Sequence, residues 1–519
     1  MKRTLVLAIA SVLGATGSPA GAVVLGARGT GQVLIYPYYT VNHQQTLVSV
    51  INTTGHGKAL KVRFREGYNG RDVANFNVYL GPYDSWVGAV FDTSSDGTGA
   101  AAIATNDNSC TVPAFPLAPV PGTLHALTFS NANYSQGAYG TSTGTDSGPL
   151  GPDRTREGFF EIIEMGEVVD QASGSPKTLE AITPVNSMPP GCAQVRNAWA
   201  NGGYWTTNAN TDLLPPAGGL YGAAGIVDVA HGTLYAFDAI AVDGFSDIAQ
   251  HTGPGNPKPN LSTAVTDSAH DVATAYVAIG NAMIKADYAA STRGVDAVSA
   301  VLMADALYNE FNSDPTLGAQ TDFLVTFPTK QFYVDPGIVG TAIDNYQAPF
   351  EEVFGGGYAA GKTTPADAGN SCDAVSAKFV NRDAAKPPSN LLCGTPPRGN
   401  SNFVCSESQA LRVGAHHSAP GALSSRGTYD LEDDSTCAAR VAVPFDTGTV
   451  ALGLAAYGLQ MRPSSDGKVF PGLPALGFAA INYINANVTP GVLSNYSAAY
   501  PHRSSASCTN STNPQGGCQ

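Results

Sequence analysis

The alternation that begins at Lys58 constrains this chain more than any other feature. In K-A-L-K-V-R-F-R, Leu60, Val62 and Phe64 fall on one face of an extended segment, and Lys61, Arg63 and Arg65 fall on the other. A period of two with one apolar face predicts a half-buried antiparallel strand. Phe76, Val78 and Leu80 repeat the pattern, and Gly81-Pro82-Tyr83-Asp84 turns the chain into a further strand over Ser85–Asp92. Thr46–Asn52 is another β-rich stretch, closed by Thr53-Thr54-Gly55-His56-Gly57, and Phe159–Val168 and Gly225–Gly244 carry more. Short strands joined by Gly and Asn turns predict a mainly β protein of β-sandwich-like antiparallel modules. One region departs from this. Thr266–Ala290 is Ala-rich, and Val298, Val301, Leu302, Leu307 and Phe311 stand near helical spacing after Asp296, so two helices form a short helical insert over residues 264–312. Strands are expected to follow at Asp322–Phe327 and Gln331–Asp335.

The compartment is read from the first residues. Lys2 and Arg3 precede the apolar stretch Thr4–Leu13, and Ala20-Gly21-Ala22 is an A-x-A cleavage pattern, so residues 1–22 are expected to be a cleaved export leader. Its apolar core is too short to span a bilayer, and no later run is long enough, so no transmembrane segment is expected. Eight cysteines follow the leader. In an oxidising compartment they are expected to form disulfides, paired between sequence neighbours: Cys110–Cys192, Cys372–Cys393, Cys405–Cys437 and Cys508–Cys518. Metal ligation is the rival, but no CxxC appears and no zinc spacing fits. The Pro- and Gly-rich Gln250–Asn260 stretch marks the preferred boundary between two β-rich domains, residues 23–250 and 251–503, with a polar tail at 504–519.

Composition narrows the partners. Of 519 residues only 13% are charged, and acidic residues outnumber basic ones 41 to 27. A chain at −14 is poorly suited to nucleic acid, which needs a basic surface, or to an anionic membrane face. Motifs add little chemistry. Gly140–Gly144 (GTSTG) fits the nucleophile-elbow pattern but lies in the long polar stretch Asn131–Arg154 rather than between strand and helix. Gly356–Thr363 (GGYAAGKT) fits a phosphate loop, yet Thr364-Pro365 follows where a helix should. No H-E-x-x-H occurs, and His416-His417 point to opposite faces of any strand, so no metal site and no cofactor are expected. Glu161 and Glu164 fall on opposite strand faces, which separates them as a dyad, and Asp433-Asp434 reads as a solvated acidic turn. No catalytic residue is assigned.

Two groups suit binding. Lys61, Arg63 and Arg65 form a row of cations that would receive an anionic polysaccharide or an acidic patch on another subunit; the more economical reading pairs them across strands with Asp72 or Asp84. Trp199, Tyr204 and Trp205 stand among Gly and Asn residues, a composition suited to sugar rings, against the plainer reading that they plug the end of a sandwich. Tyr36, Tyr38 and Tyr39 read as a strand edge.

The stretches Leu34–Val41 (LIYPYYTV), Lys61–Gly67 (KVRFREG), Phe76–Trp86 (FNVYLGPYDSW) and Thr321–Pro336 (TDFLVTFPTKQFYVDP) resemble those of a group of secreted bacterial proteins of unassigned function, as do GFAAINY and GVLSNY between Gly477 and Tyr496. The resemblance implies an envelope or extracellular location and carries no site residues. The function expected first is that of a non-catalytic secreted or cell-surface protein acting by self-association, as a homo-oligomer, or by association with envelope components. A carbohydrate-binding or adhesive module comes second, and a secreted hydrolase with dispersed carboxylates third.

Overall fold

Two β-sandwiches share one wall. The computed structural model describes residues 21–116, 125–135, 148–171, 174–340, 345–354, 371–386, 401–416, 421–434, 441–485, 489, 491–492, 494–511 and 518. The expected leader up to residue 20, both glycine-rich motif matches, His417, Cys393 and Cys437 lie outside them. The chain is mainly β, with 44% of it in strands and 12% in helices.

The first sheet runs in the order Val24–Leu25, Ile240–Asp243, Val33–Thr40, Glu157–Val168, Gly57–Glu66, Asp72–Leu80, Cys110–Val112. The second runs Thr233–Asp238, Leu220–Asp228, Gln45–Asn52, Ser85–Asp92, Ala101–Thr105, His125–Thr128. Register follows from the alternation: Val62 lies opposite Phe76 on one side and Ile162 on the other, which stacks the apolar set of each strand on one face. That face meets Val48, Val50, Trp86, Ile103 and Ile226 of the second sheet to make the first core. Tyr36 and Phe64 sandwich Phe160 with centroids 4.1 and 4.6 Å away.

The third sheet runs Asn402–Val404, Asp373–Asn381, Thr447–Gly453, Ala306–Asn312, Arg503–Ser505, and the fourth Tyr429–Asp430, Ser408–Arg412, Ala319–Thr326, Leu476–Tyr483, Tyr496–Pro501. The central Ala319–Thr326 strand explains how the sandwiches join. Phe323 and Val325 enter the second core with Phe311, Phe379 and Val450, whereas Leu324 between them enters the first core, as do Phe478 and Ala480 of the neighbouring strand. A strand buried on both faces reads as a continuous apolar run, which is what F-L-V-T-F is. Across the junction Phe478 stacks on Phe237 at 4.8 Å, and Thr326 Oγ1 donates to the carbonyl of Pro37.

Five local expectations are corrected. Gly57–Glu66 is buried on both faces rather than half-buried. Val33–Thr40, with its tyrosines, is an interior strand and not an edge. Thr266–Ala290 forms no helix: Val272–Ile279 and Ala282–Ala289 make a hairpin about Gly280-Asn281. There Val272, Thr274, Tyr276 and Ile279 favour extended backbone, and alanine fits a pleated surface covered by a helix. That helix is Ala290–Leu302, shorter than expected; Leu307 and Phe311 belong to the following strand, and Gln331–Val334 is a helical turn where a strand was expected.

Of the pairings expected for the cysteines, Cys110–Cys192 and Cys508–Cys518 form. Cys372 instead pairs with Cys405, which overturns Cys372–Cys393 and Cys405–Cys437 together. The reason is topological. Asp373–Asn381 and Asn402–Val404 are adjacent antiparallel strands with Asp373 opposite Val404, so the residues flanking that pair face each other.

Candidate interaction surface

Of the two groups singled out for binding, the cation row is interior, and in the aromatic group Trp205 is buried while Trp199 and Tyr204 are half-buried. Lys61, Arg63 and Arg65 are 0%, 4% and 0% exposed. The segment expected to be a domain linker folds over them. Gly253 O accepts from Lys61 Nζ at 2.7 Å, and the carbonyls of Thr252 and Asn256 accept from Asn77 and Asn75. Arg63 is clamped between two carboxylates, Asp72 at 2.8 Å and Glu161 at 2.5 Å. Cross-strand pairing with Asp72 therefore takes the place of an open anion site, because Arg63 stands between Asn75 and Glu161 in register. Arg65 donates to Gly70 O and Gln331 and lies over the rings of Phe159 and Phe332. Burial draws the Lys61 ammonium down to about 7, helped by the neighbouring charge of Arg63.

The aromatic group caps the same sheet. Trp205 is 1% exposed and stacks on Tyr79 at 5.2 Å, while its indole N–H donates to Thr211 O. Trp199 donates to the Tyr79 hydroxyl at 2.9 Å and packs on Trp205 and His251; Tyr204 meets Thr178. The ring faces that a sugar would need are occupied by one another, and the Cys110–Cys192 bridge ties this cap to the strand below. Burial holds His251 neutral, with its pKa near 3.

The acidic residues are similarly committed. Glu161 faces Arg63, and Glu164 pairs with Lys58 at 2.8 Å while accepting from the amides of Ala217 and Gly218. Asp433 and Asp434 do not form a solvated turn: both are buried and accept from the amides of Phe379 and Ala377, because the two residues lie along the strand Asp373–Asn381. Glu407 is a perturbed carboxyl with a neighbour of its own kind. It is fully buried, and burial raises it to about 8; Arg65 opposes this and Glu66 adds to it. Gly70, with a φ of +67°, makes room for it, since a Cβ there would lie 2.1 Å from Glu407 Oε2. A carboxyl so enclosed has no access to a substrate. Ser313, His416 and Asp446 also meet, a grouping the sequence did not disclose. Ser313 Oγ donates to Asp446 at 3.1 Å and His416 Nδ1 bonds the same oxygen at 2.6 Å, so the imidazole is not placed as a base for the hydroxyl.

What is exposed is the outer face of the second sheet. Leu47, Val87 and Leu234 are 47%, 49% and 48% exposed. Around them Ala89, Ala104, Ala223, Gly225 and Ala236 floor a shallow hollow of about 700 Å³, and no charged residue lines it. Register places Gly225, Leu47, Ala89 and Ala104 in one row across four strands, a tall side chain between short ones. The signal was present in Thr46–Asn52 and Ser85–Asp92, whose apolar residues occupy both faces, but periodicity alone reports that as ordinary strand. Comparison with protein-family models, with curated proteins and with solved structures finds no match for this chain.

Proposed function

We propose that this is a non-catalytic protein of the secreted or cell-surface class that acts by associating with copies of itself through the outer face of the second sheet. The carrying observation is the trio Leu47, Val87 and Leu234, half-exposed around a hollow whose lining carries no charge; the exposed Asp238 of the same face stands outside that lining and accepts from the Tyr221 hydroxyl. Contiguous apolar surface of this kind marks association sites in soluble proteins. A second copy is the fitting occupant for two reasons. At −14 the chain repels its own copies, and this hollow is where a contact brings no charged lining residue against its like. Its alternation of tall Leu47 with Gly225 and Ala89 in one row also offers each copy a knob and a hollow, as an isologous contact requires. Export through the expected leader fits the disulfides, and among the described residues no helix is long and apolar enough to cross a membrane.

Size exclusion with light scattering on the mature chain tests this. A dimer or higher assembly is expected, and Leu47→Glu with Val87→Glu is expected to return it to monomer without loss of the folded melt. A monomer at high concentration, or an assembly indifferent to both substitutions, overturns the proposal.

A further inference from the structure

A second open surface has the opposite character. The chain leaves the fourth sheet at Pro501 and enters the third at Arg503, and this corner walls a groove of about 850 Å³ over the outer face of the third sheet. Register lays a single row across its floor: Arg503, Tyr308, Ala451, Lys378. Tyr308 and Tyr500 are 42% and 45% exposed, and Asn309 Nδ2 fixes the wall by donating to Tyr500 O at 2.7 Å. Lys378, Lys386 and Arg503 are exposed here, and among the described residues none of them makes an ion pair. Glu310 is the one exposed acid of the lining; Asp433, also in it, is buried and spends a carboxylate oxygen on the Phe379 amide. Elsewhere the chain pairs its interior cations closely, as with Arg63, Arg71, Arg154 and Lys330. What distinguishes this groove is that three unpaired cations stand beside two open tyrosine rings along one lining, in a protein with 41 acids and 27 bases.

We infer that this groove binds an extended acidic polysaccharide, with Arg503 and Lys378 taking its carboxylate or sulfate groups and Tyr308 and Tyr500 packing on its sugar faces. Arg503 and Lys378 stand three strand spacings apart, about 14 Å, so one small anion does not reach both. Their sparse spacing also selects among polyanions. Nucleic acid carries a charge about every 3.4 Å along each strand, which would leave most phosphates facing a protein of net negative charge. A glycan with one acid group per sugar, or fewer, matches sparse cations and supplies the C–H faces that tyrosine rings cover. This site is separate from the apolar face of the second sheet, and neither proposal depends on the other.

Affinity electrophoresis of the mature chain in gels containing polygalacturonate or sulfated dextran tests the inference, with neutral dextran, poly(dT) and polyglutamate in parallel gels. Retardation by an acidic glycan alone is expected. The Lys378→Gln, Arg503→Gln pair is expected to weaken it about tenfold, Tyr308→Ala to weaken it further, and Glu310→Gln to strengthen it. Absence of retardation in both acidic gels overturns the inference, as does equal retardation of the paired variant. Equal retardation by poly(dT) or polyglutamate overturns the glycan assignment in favour of a general anion site. Should the paired variant lose its folded melt, Glu310→Gln decides alone: binding unchanged by removal of that charge overturns the role of the groove.

Discussion

The outward faces of the two sheets that enclose the first core invert the usual arrangement. On the first sheet the face turned away from the core carries Lys61, Arg63, Arg65, Glu161 and Asn77, all buried, with the half-buried Asn75 at its margin. On the second sheet the corresponding face carries Leu47, Val87 and Leu234, and it is open. Residue type did not decide which face was covered; the later chain did. The 250–260 segment, the aromatic cap around Trp205 and the turn at Gln331 all pack onto the first sheet, and each supplies polar partners as it arrives. A covering element that brings carbonyls and carboxylates can bury guanidinium groups, since buried charge is tolerable where it is paired and hydrogen-bonded. The second sheet receives no such element among the described residues, and its alkyl groups remain available to a partner.

Removing a partner from the buried face should break this contrast most sharply. Arg63→Met strands Asp72 and Glu161 in the interior, and chemical denaturation is expected to report a loss of about 3–5 kcal/mol, as for other buried pairs cut on one side. A loss near zero would mean that water reaches the layer. Trp205→Ala removes the centre of the cap, and about 3 kcal/mol is expected from the transfer and cavity terms together. A small change would instead mark the ring as dispensable to packing.

A pH series sharpens the comparison. Glu407, raised to about 8, holds its proton in the folded state at pH values where the unfolded side chain, near 4.3, has lost it. The folded state therefore binds more protons between those values. The stability that Glu407 contributes is complete below about 4.3 and disappears as pH rises through about 8. Glu407→Gln should remove that dependence, so the difference between parent and variant in denaturation midpoint should move in favour of the variant from pH 5 to pH 9. A constant difference would place Glu407 in contact with solvent. The smallest effect belongs to the open face: Leu47→Glu should change unfolding free energy by no more than about 0.5 kcal/mol, as exposed positions do, while altering mass in solution.

Strand existence was legible in the sequence because a period of two survives whatever covers the strand. Ser85–Asp92 begins and ends where its alternation does, and Leu60, Val62 and Phe64 face the core as their spacing requires. The candidate site was not legible. The cation row looked exposed because alternation marks a polar face as the solvent side, and nothing in Lys58–Arg65 announces that Gly253 will cover it. The tryptophans looked open because glycine and asparagine surround them in sequence, whereas in space they are surrounded by Tyr79 and His251. The Thr266–Ala290 segment misled for a related reason: alanine content is a weak local preference, and pairing across the hairpin outweighs it.

The sequence by itself determined the mainly β class, the facing of the strands that build the first core, and the two disulfides that close between sequence neighbours, since each rests on spacing along the chain. The tertiary structure decided the Cys372–Cys405 pairing, the shared wall between the sandwiches and the choice of which polar face is buried. Those depend on contacts between residues tens to hundreds of positions apart, such as Arg65 with Gln331 and Thr326 with Pro37, and no local pattern encodes a partner that distant.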